Sequence, residues 1–404
     1  MSKKDDTTNY EDDEYYEYYE DDEGYYEDSD AEPEENEPVK KSKKGKVSSN
    51  AKWGIALIIE LIVIVLLIIG LVRSYVHNKY LLLDVHEIKE EDLAINDGLD
   101  TSLLKGYTNI AFFGVDARDS NMKSGTRSDA IIIASIDNDT KKIKLVSVYR
   151  DTILEVPDSD GAYTVKVNAA YAYGGPELAI QTLNSNLDLN ISEYITVNWE
   201  GLTRAIDAIG GVQVNVEEDE LDMLNACLAE QIRVTGIYSE GVYTTGNLTL
   251  NGAQATAYCR IRSTGRGDIT RTERQREVIS SMISKLKKSD IGTIDSVIDQ
   301  IFPYISTSIT EDEMYDLASG LLSYSLDETL GFPVRFGYFS SDSKGSCIAP
   351  KNLVENVTAL QRFLFNNTSY TPTQNVRRIS DKLVDETGFG SEGTVYLPSE
   401  STEE

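Results

Sequence analysis

The feature that most constrains this chain is the almost wholly apolar run Trp53–Val72, WGIALIIELIVIVLLIIGLV. Twenty residues at a helical rise of 1.5 Å span roughly 30 Å, the thickness of a bilayer's hydrocarbon core. Only a helix satisfies every backbone polar group within such a segment, so the run predicts one transmembrane helix over 51–75. It starts too far from Met1, and is too long, for a cleaved leader, and it lacks an A-x-A site. Lys40, Lys41, Lys43, Lys44, Lys46 and Lys52 precede it, whereas only Arg73 and Lys79 follow closely. Basic residues stay inside, which predicts a cytoplasmic N-terminus and an extracellular domain, single-pass in the cell membrane. Glu60 is the one ionisable group in the span, either protonated and tolerated or paired with a partner helix.

Before the span the chain is acidic. Residues 1–38 carry eighteen Asp/Glu against Lys3 and Lys4, with seven tyrosines and almost nothing aliphatic. Like charges repel and there is no apolar surface to collapse on, so residues 1–50 read as a disordered cytoplasmic tail ending in a basic juxtamembrane stretch. It is either a solvated tail or a segment that docks a cytoplasmic partner or a tyrosine kinase. The formal net charge of -30 and the external location both oppose nucleic-acid binding.

Beyond the span, about 300 residues suffice for a full core. A polar stem is expected over 76–105, one domain over 106–370 and a loose polar tail over 371–404. Asn109–Asp116, Ala130–Asp137 and Ile143–Asp151 read as strands, the last two joined as a hairpin by the short polar link Asn138–Lys142. Gly175-Pro176 opens a helix. Leu202, Ala205, Ile206 and Ile209 have helical spacing, ended by Gly210-Gly211, and VQVNV (212–216) alternates as a strand. ATAYCRIR (255–262) is expected as a strand with Tyr258, Arg260 and Arg262 on one face and Cys259 turned to the core. Thr270–Glu273 fits a capping box opening a further helix. A helix near 311–324, a strand near 333–339 and a helix near 352–365 complete the pattern. Interleaved strands and helices predict an α/β fold with helices covering a sheet. Three cysteines without C-x-x-C, and only His77 and His86, argue against zinc, haem and redox chemistry, and a Cys227–Cys347 disulfide stays open.

Two clusters carry chemistry. Six of sixteen arginines fall between 260 and 276: Arg260, Arg262, Arg266, Arg271, Arg274 and Arg276. Guanidinium forks match phosphate oxygens, and a helix start favours an anion. The alternative is a solvated basic surface that offsets nearby acids. Asp116, the segment Thr126-Arg127-Ser128-Asp129 and Tyr149-Arg150-Asp151 lie at strand ends, where α/β sheets build sites. Asp116 and Asp129 can share one Mg²⁺ completed by phosphate oxygens, or can pair with Arg118, Arg127 or Arg150.

GVDARD, SGTRSDAIIIASID, KLVSVYRDT, KVNAAYAYGG, AIGGVQV, LNGAQATAYCRIR and DITRTERQR occur in the order of the LytR-CpsA-Psr domain, which the chain resembles over about 106–290 and by extension to 370. The resemblance implies a central mixed β-sheet covered by helices on both faces. It implies a phosphotransferase that moves a glycopolymer phosphate from a polyprenyl-pyrophosphate carrier onto peptidoglycan, with Mg²⁺ or Mn²⁺ on Asp116 and Asp129. Motif by motif it gives Arg127, Arg150, Arg260 and Arg262 to the pyrophosphate and the chemistry, with Asp116 as the candidate base. Lys166, Asn168, Arg271, Arg274 and Gln275 join the substrate-binding set. Many members have Pro where this chain has Tyr149, which puts the local loop shape in question. A lipid-pyrophosphate hydrolase would use the same residues; a non-catalytic envelope regulator that binds a lipid-linked polymer and signals through the tail is the alternative from another class, against which the complete Asp/Arg motifs weigh.

Overall fold

Every buried backbone polar group needs a partner, so the apolar runs must become helices or paired strands. The computed structural model describes residues 49–116, 122, 124–262, 264, 267–321 and 323–390. The acidic tail and its lysines to Lys46, Arg118, Arg266 and residues 391–404 lie outside them. The apolar run is part of one helix, α1 (Ser49–Tyr80), and among the described residues its segment Glu60–Tyr80 is long and apolar enough to cross a membrane. From Val63 onward the chain forms one compact unit.

A short strand, β1 (Asp84–Val85), follows α1. The three apolar runs form β2 (Tyr107–Val115), β3 (Ser128–Asp137) and β4 (Lys142–Val148). A hairpin, β5 (Ile153–Val156) and β6 (Tyr163–Lys166), leads into α2 (Asn168–Leu187), which kinks at Gly174 and Gly175, so that Pro176 opens its second half. Next come β7 (Glu193–Asn198) and α3 (Trp199–Ala208), whose start is capped by the Asn198 side chain accepting from Gly201 N at 2.9 Å. Gly210 and Gly211 end α3 with φ of 72° and 88°; at Gly211 a Cβ would also lie 2.6 Å from the Leu250 carbonyl, so only glycine fits there. A ribbon of β8 (Val212–Val216) and β9 (Gly246–Leu250) encloses α4 (Leu221–Thr235) in sequence, and α5 (Gly252–Tyr258), α6 (Asp268–Leu286) and α7 (Ile291–Ile301) follow. The rest is β10 (Ile305–Thr307), α8 (Glu311–Ser319), β11 (Ser325–Phe332), β12 (Phe336–Ser341), β13 (Gly345–Pro350), α9 (Leu353–Phe365) and α10 (Gln374–Thr387).

Seven strands make a mixed sheet in the order β1-β10-β7-β2-β3-β4-β11. The expected hairpin is β3–β4, and β2 pairs antiparallel with β3 and parallel with β7. Alternation along β2 divides its side chains. Ala111, Phe113 and Val115 join a core with Ile180 and Leu183 of α2, Leu360 of α9 and Ile379 of α10. Ile110 and Phe112 turn the other way, toward Met314 and Leu317 of α8. Helices therefore cover both faces, as the resemblance implied. A separate apolar cluster gathers α3, α4, α5 and the β8–β9 ribbon against Val278 of α6 and Val297 of α7.

Several expectations are corrected. Residues 76–105 are not a free stem: α1 runs on to Tyr80, β1 joins the main sheet, and Leu93 and Leu104 are core residues. ATAYCRIR is not a strand. Asn251 and Gln254 form a reciprocal capping box, and the small residues Ala253, Ala255 and Ala257 pack as helix α5 (Gly252–Tyr258). The third strand stops at Val148, short of Arg150. The Thr270–Glu273 box does not open α6, which starts at Asp268 after Gly267 at φ 65°. α8 stops at Ser319; the strand expected near 333–339 is β12, starting at Phe336, and β11 (Ser325–Phe332) before it was not expected. Within the expected loose tail lies α10, whose Val376, Ile379 and Leu383 are buried at helical spacing while Arg378 and Lys382 pair with buried Glu155. Cys227, Cys259 and Cys347 are all free thiols. Cys227 packs against the α3–α5 cluster and Cys347 belongs to the main core, so no disulfide joins them.

Burial pushes the carboxyl of Glu193 on β7 up to about 7, partly opposed by a hydrogen bond donated by Ser308 Oγ. Its folded pKa exceeds the ordinary value of 4.5. Its contribution to stability is thus fully present below about pH 4.5 and is lost as pH rises through 7. Glu193→Gln removes this loss. Discounted for a carboxyl still partly open to water, the variant gains about 1 kcal/mol over wild type at pH 8 and nothing at pH 4. Thermal melts at the two pH values check this; parallel shifts of both proteins with pH would refute it.

Candidate active site

The site forms where strands of the main sheet end. β2 ends at Val115, leaving Asp116 exposed just beyond it. On the neighbouring strand Gly114 pairs with Ala130 and Val115 with Ser128, so Asp129 is the extra residue of a bulge. Bulges re-aim a side chain, and here they set a half-buried carboxylate at the sheet edge. β4 delivers Tyr149, Arg150 and Asp151. Tyr149 is buried with Ile269, Phe336 and Ile348, and a Cβ on Gly331 would lie 2.1 Å from its hydroxyl. Glycine at 331 therefore makes room for the tyrosine at 149.

Asp129 is the hub. Arg150 Nη1 donates to Asp129 Oδ1, Arg262 Nη2 lies 3.5 Å and Arg271 Nη1 3.9 Å from the same oxygen, and Arg271 Nη2 donates to the Asp129 carbonyl at 2.9 Å. A second acid, Asp268, lies 2.7 Å from Arg271 Nη2 and 3.4 Å from Arg150 Nε. Asp151 holds Lys166 at 3.3 Å and approaches Arg150 Nε at 3.8 Å. Four cations and three carboxylates thus hold one another before any anion arrives. Burial pushes Asp268 up against the pull of Arg271 and Arg150; burial likewise lowers Arg271 to about 10, which leaves it fully charged at neutral pH. Around this network Arg150 Nε, both Asp268 oxygens, Arg271 Nε, Gln275 Nε2 and Asn168 Oδ1 are buried without a well-formed hydrogen bond among the described residues. Such atoms are costly unless a polar ligand meets them.

The residues named from sequence divide here. Asp129, Arg150, Lys166, Arg262 and Arg271 come together, and Asn168, at the start of α2, is tied in by its N–H on the Arg150 carbonyl at 3.2 Å. Arg127 precedes β3 and is exposed. Arg260 and Arg274 turn elsewhere. Arg260 Nη1 donates to Gln231 Oε1 at 3.0 Å, its Nη2 lies 3.5 Å from Glu230, and it stacks over Trp199. Arg274, almost wholly buried, spends Nε on Glu220 Oε1 at 2.6 Å, Nη1 on the Ile261 carbonyl at 3.1 Å and Nη2 on Thr264 Oγ1. It holds the loop that carries Arg262 instead of presenting a free fork. Asp268 was missed: its signal was an acid three residues before Arg271 at a helix start, masked by the capping-box reading.

Asp116 and Asp129 suit a hard divalent ion. All three guanidinium contacts of Asp129 fall on Oδ1, leaving Oδ2 without one among the described residues. Among those residues no group of three or more His, Cys, Asp or Glu forms a cage, so an ion here would draw its remaining oxygens from substrate and water.

Residues 79–338 match the LytR_cpsA_psr family. The chain is 35% identical over 221 residues to the polyisoprenyl-teichoic acid–peptidoglycan teichoic acid transferase TagU of Oceanobacillus iheyensis, covering 53% of this chain and 62% of that one. It is 26% identical over 275 residues to the like-named TagV of Bacillus subtilis, covering 65% of each. The chain thus spans a little under two thirds of these relatives. Among solved structures, protein gbs0355 of Streptococcus agalactiae superposes with a TM-score of 0.56 at 24% identity, covering 68% of this chain and 92% of that one. TagT bound to LI-WTA superposes with a TM-score of 0.50 at 19% identity, covering 75% and 99%. These two likenesses establish the shared fold. With more than half of its length matched, the chain belongs to the LytR_cpsA_psr family.

Proposed function

We propose that this protein is a membrane-anchored phosphotransferase that moves a glycopolymer phosphate from a polyprenyl-pyrophosphate carrier onto peptidoglycan, with its N-terminus in the cytoplasm and its domain outside. The observation that carries the reading is the cluster of Arg150, Arg262 and Arg271 held by Asp129 and Asp268 at the strand ends, with buried polar atoms around it that lack a well-formed hydrogen bond among the described residues. The names of the TagU and TagV relatives support the same chemistry. Arg150 and Arg262 face the pyrophosphate and offset the charge that grows on the leaving group. Arg271, Asp129 and Asp268 hold them in place. Arg127 and Lys166 extend the anion site, while Arg260 and Arg274 act as positioning residues. An acceptor hydroxyl attacks the phosphorus bonded to the glycan. The new P–O bond forms as the bond to polyprenyl phosphate breaks, and the hydroxyl proton passes to a carboxylate, with Asp116, exposed just beyond β2, the candidate. A Mg²⁺ or Mn²⁺ ion on Asp116 and Asp129, when bound, adds charge neutralisation at the pyrophosphate. The acidic tail serves as a docking segment for a cytoplasmic partner or kinase.

The test uses full-length protein in nanodiscs with a short-chain polyprenyl-pyrophosphate glycan, peptidoglycan oligomers and Mg²⁺, followed by mass spectrometry. Glycan-linked acceptor together with released polyprenyl phosphate is the expected result. Released polyprenyl phosphate with water as the only acceptor would make the protein a hydrolase. Tight binding without turnover under any divalent metal would sink the enzyme reading in favour of a regulator.

A further inference from the structure

The end of α1 is clasped by the domain, and the clasp sets the direction of α7. Asp295 accepts a hydrogen bond from Tyr75 Oη at 2.7 Å and pairs with Lys79 Nζ at 2.5 Å; Asp299, one turn later, pairs with the same Lys79 at 2.6 Å. α8 meets the same stretch. Arg73 Nη2 lies 2.7 Å from Asp312 and its guanidinium stacks over Tyr315, while His77 Nδ1 lies 2.9 Å from Glu311. Val76 between them is buried. The acids along α7 and in the first turn of α8 are thus met by the residues that leave the apolar run.

A turn forward on α7 matches a turn forward on α1, so the two run in the same sense. One turn back from Tyr75 is Leu71, in the apolar run, and one turn back from Asp295 is Ile291. Ile291 is the first residue of α7, and it is 84% exposed. A large aliphatic side chain that belongs to no core cluster here lies level with residues that face hydrocarbon. Four and three residues before it, the α6–α7 turn carries Lys287 and Lys288, both exposed and in no ion pair among the described residues, in a chain of formal net charge -30; the intervening Asp290 accepts from Thr293 N at 2.9 Å and caps α7. An apolar tip flanked by free lysines is the pattern of a segment that sits in a bilayer's headgroup region, with the tyrosines 75 and 315 at the same level as interfacial aromatics do.

We propose that the α6–α7 turn, through Lys287, Lys288 and Ile291, rests on an anionic phospholipid surface and gives the domain a second membrane contact beside α1. This fixes the tilt of the domain over the bilayer. The inference rests on α1 being a membrane span, and the probes below separate the two.

Full-length protein with Cys227→Ser, in which Cys259 and Cys347 stay buried, is given one new thiol at a time: Leu66→Cys in the span, Ile291→Cys at the turn, or Glu328→Cys on β11 at the opposite edge of the sheet. Each is labelled with an environment-sensitive NBD dye in nanodiscs of phosphatidylcholine with phosphatidylglycerol, and quenching by nitroxide lipids is read. The labels at 66 and 291 are expected to emit blue-shifted and to be quenched, and that at 328 is not. Quenching at 291 should fall at least twofold in pure phosphatidylcholine, or when Lys287→Glu and Lys288→Glu are added, while that at 66 stays unchanged. A label at 291 that behaves like that at 328 while 66 is quenched would overturn the second contact alone. Loss of quenching at 66 as well would overturn the span and the contact with it.

Discussion

Replacing Arg262 with alanine is expected to lower glycan transfer by about 10²–10³-fold while leaving the fold intact, the magnitude typical of removing one preorganised donor to a developing anion. Its side chain is half exposed, and its one ion contact among the described residues is with Asp129 at 3.5 Å. No buried hydrogen bond is lost on truncation, so stability should move by no more than about 0.5 kcal/mol. Single-turnover release of polyprenyl phosphate, read by mass spectrometry beside a thermal melt, measures both. Arg262→Lys keeps the charge but not the planar fork, and should recover about tenfold of the loss. Activity of the alanine variant within threefold of wild type would remove Arg262 from the transferring phosphate, whatever its place in the cluster.

The second large effect concerns stability. Glu220 and Arg274 form a nearly fully buried pair, with side chains 5% and 4% exposed and Nε 2.6 Å from Oε1. Glu220→Ala leaves a buried guanidinium without its acid, and the expected cost is about 3–5 kcal/mol. The double variant Glu220→Leu/Arg274→Met removes both charges and should regain most of that loss. Urea unfolding of the solubilised protein gives the difference. A single-variant cost below about 1 kcal/mol would show that water reaches the pair. Arg274 also holds the Ile261 carbonyl next to Arg262, so Glu220→Ala should depress transfer as well, though neither residue touches the phosphate.

The local part of this protein is legible in its sequence because it follows from spacing along the chain. The span is a run of twenty apolar residues; β2, β3 and β4 alternate or bury whole; the Gly210-Gly211 stop needs only a left-handed backbone. Arg150 and Asp129 could be named because their residue types suit a phosphate site at strand ends, Arg262 because it falls in the cluster of arginines between 260 and 276, and Lys166 only through the family resemblance. Where local spacing was equivocal, it failed. ATAYCRIR alternates like a strand, yet the Asn251–Gln254 box and a row of alanines packed against α3 make it a helix. The charged face of 374–387 hid an apolar stripe that has value only once the main core is there to receive it.

Taken alone, the sequence determined that the chain has a helix long and apolar enough to cross a membrane, an α/β domain after it and a set of arginines and aspartates whose chemistry suits a pyrophosphate. Tertiary structure decided which of those arginines are free to do so. Gln231 and Glu230 engage Arg260, and Glu220, fifty-four residues away, engages Arg274, while Asp129 and Asp268 gather Arg150, Arg262 and Arg271. The physical reason is that a buried charge must find its partner wherever the fold brings one. Residue type announces the need, and only the folded chain supplies the neighbour.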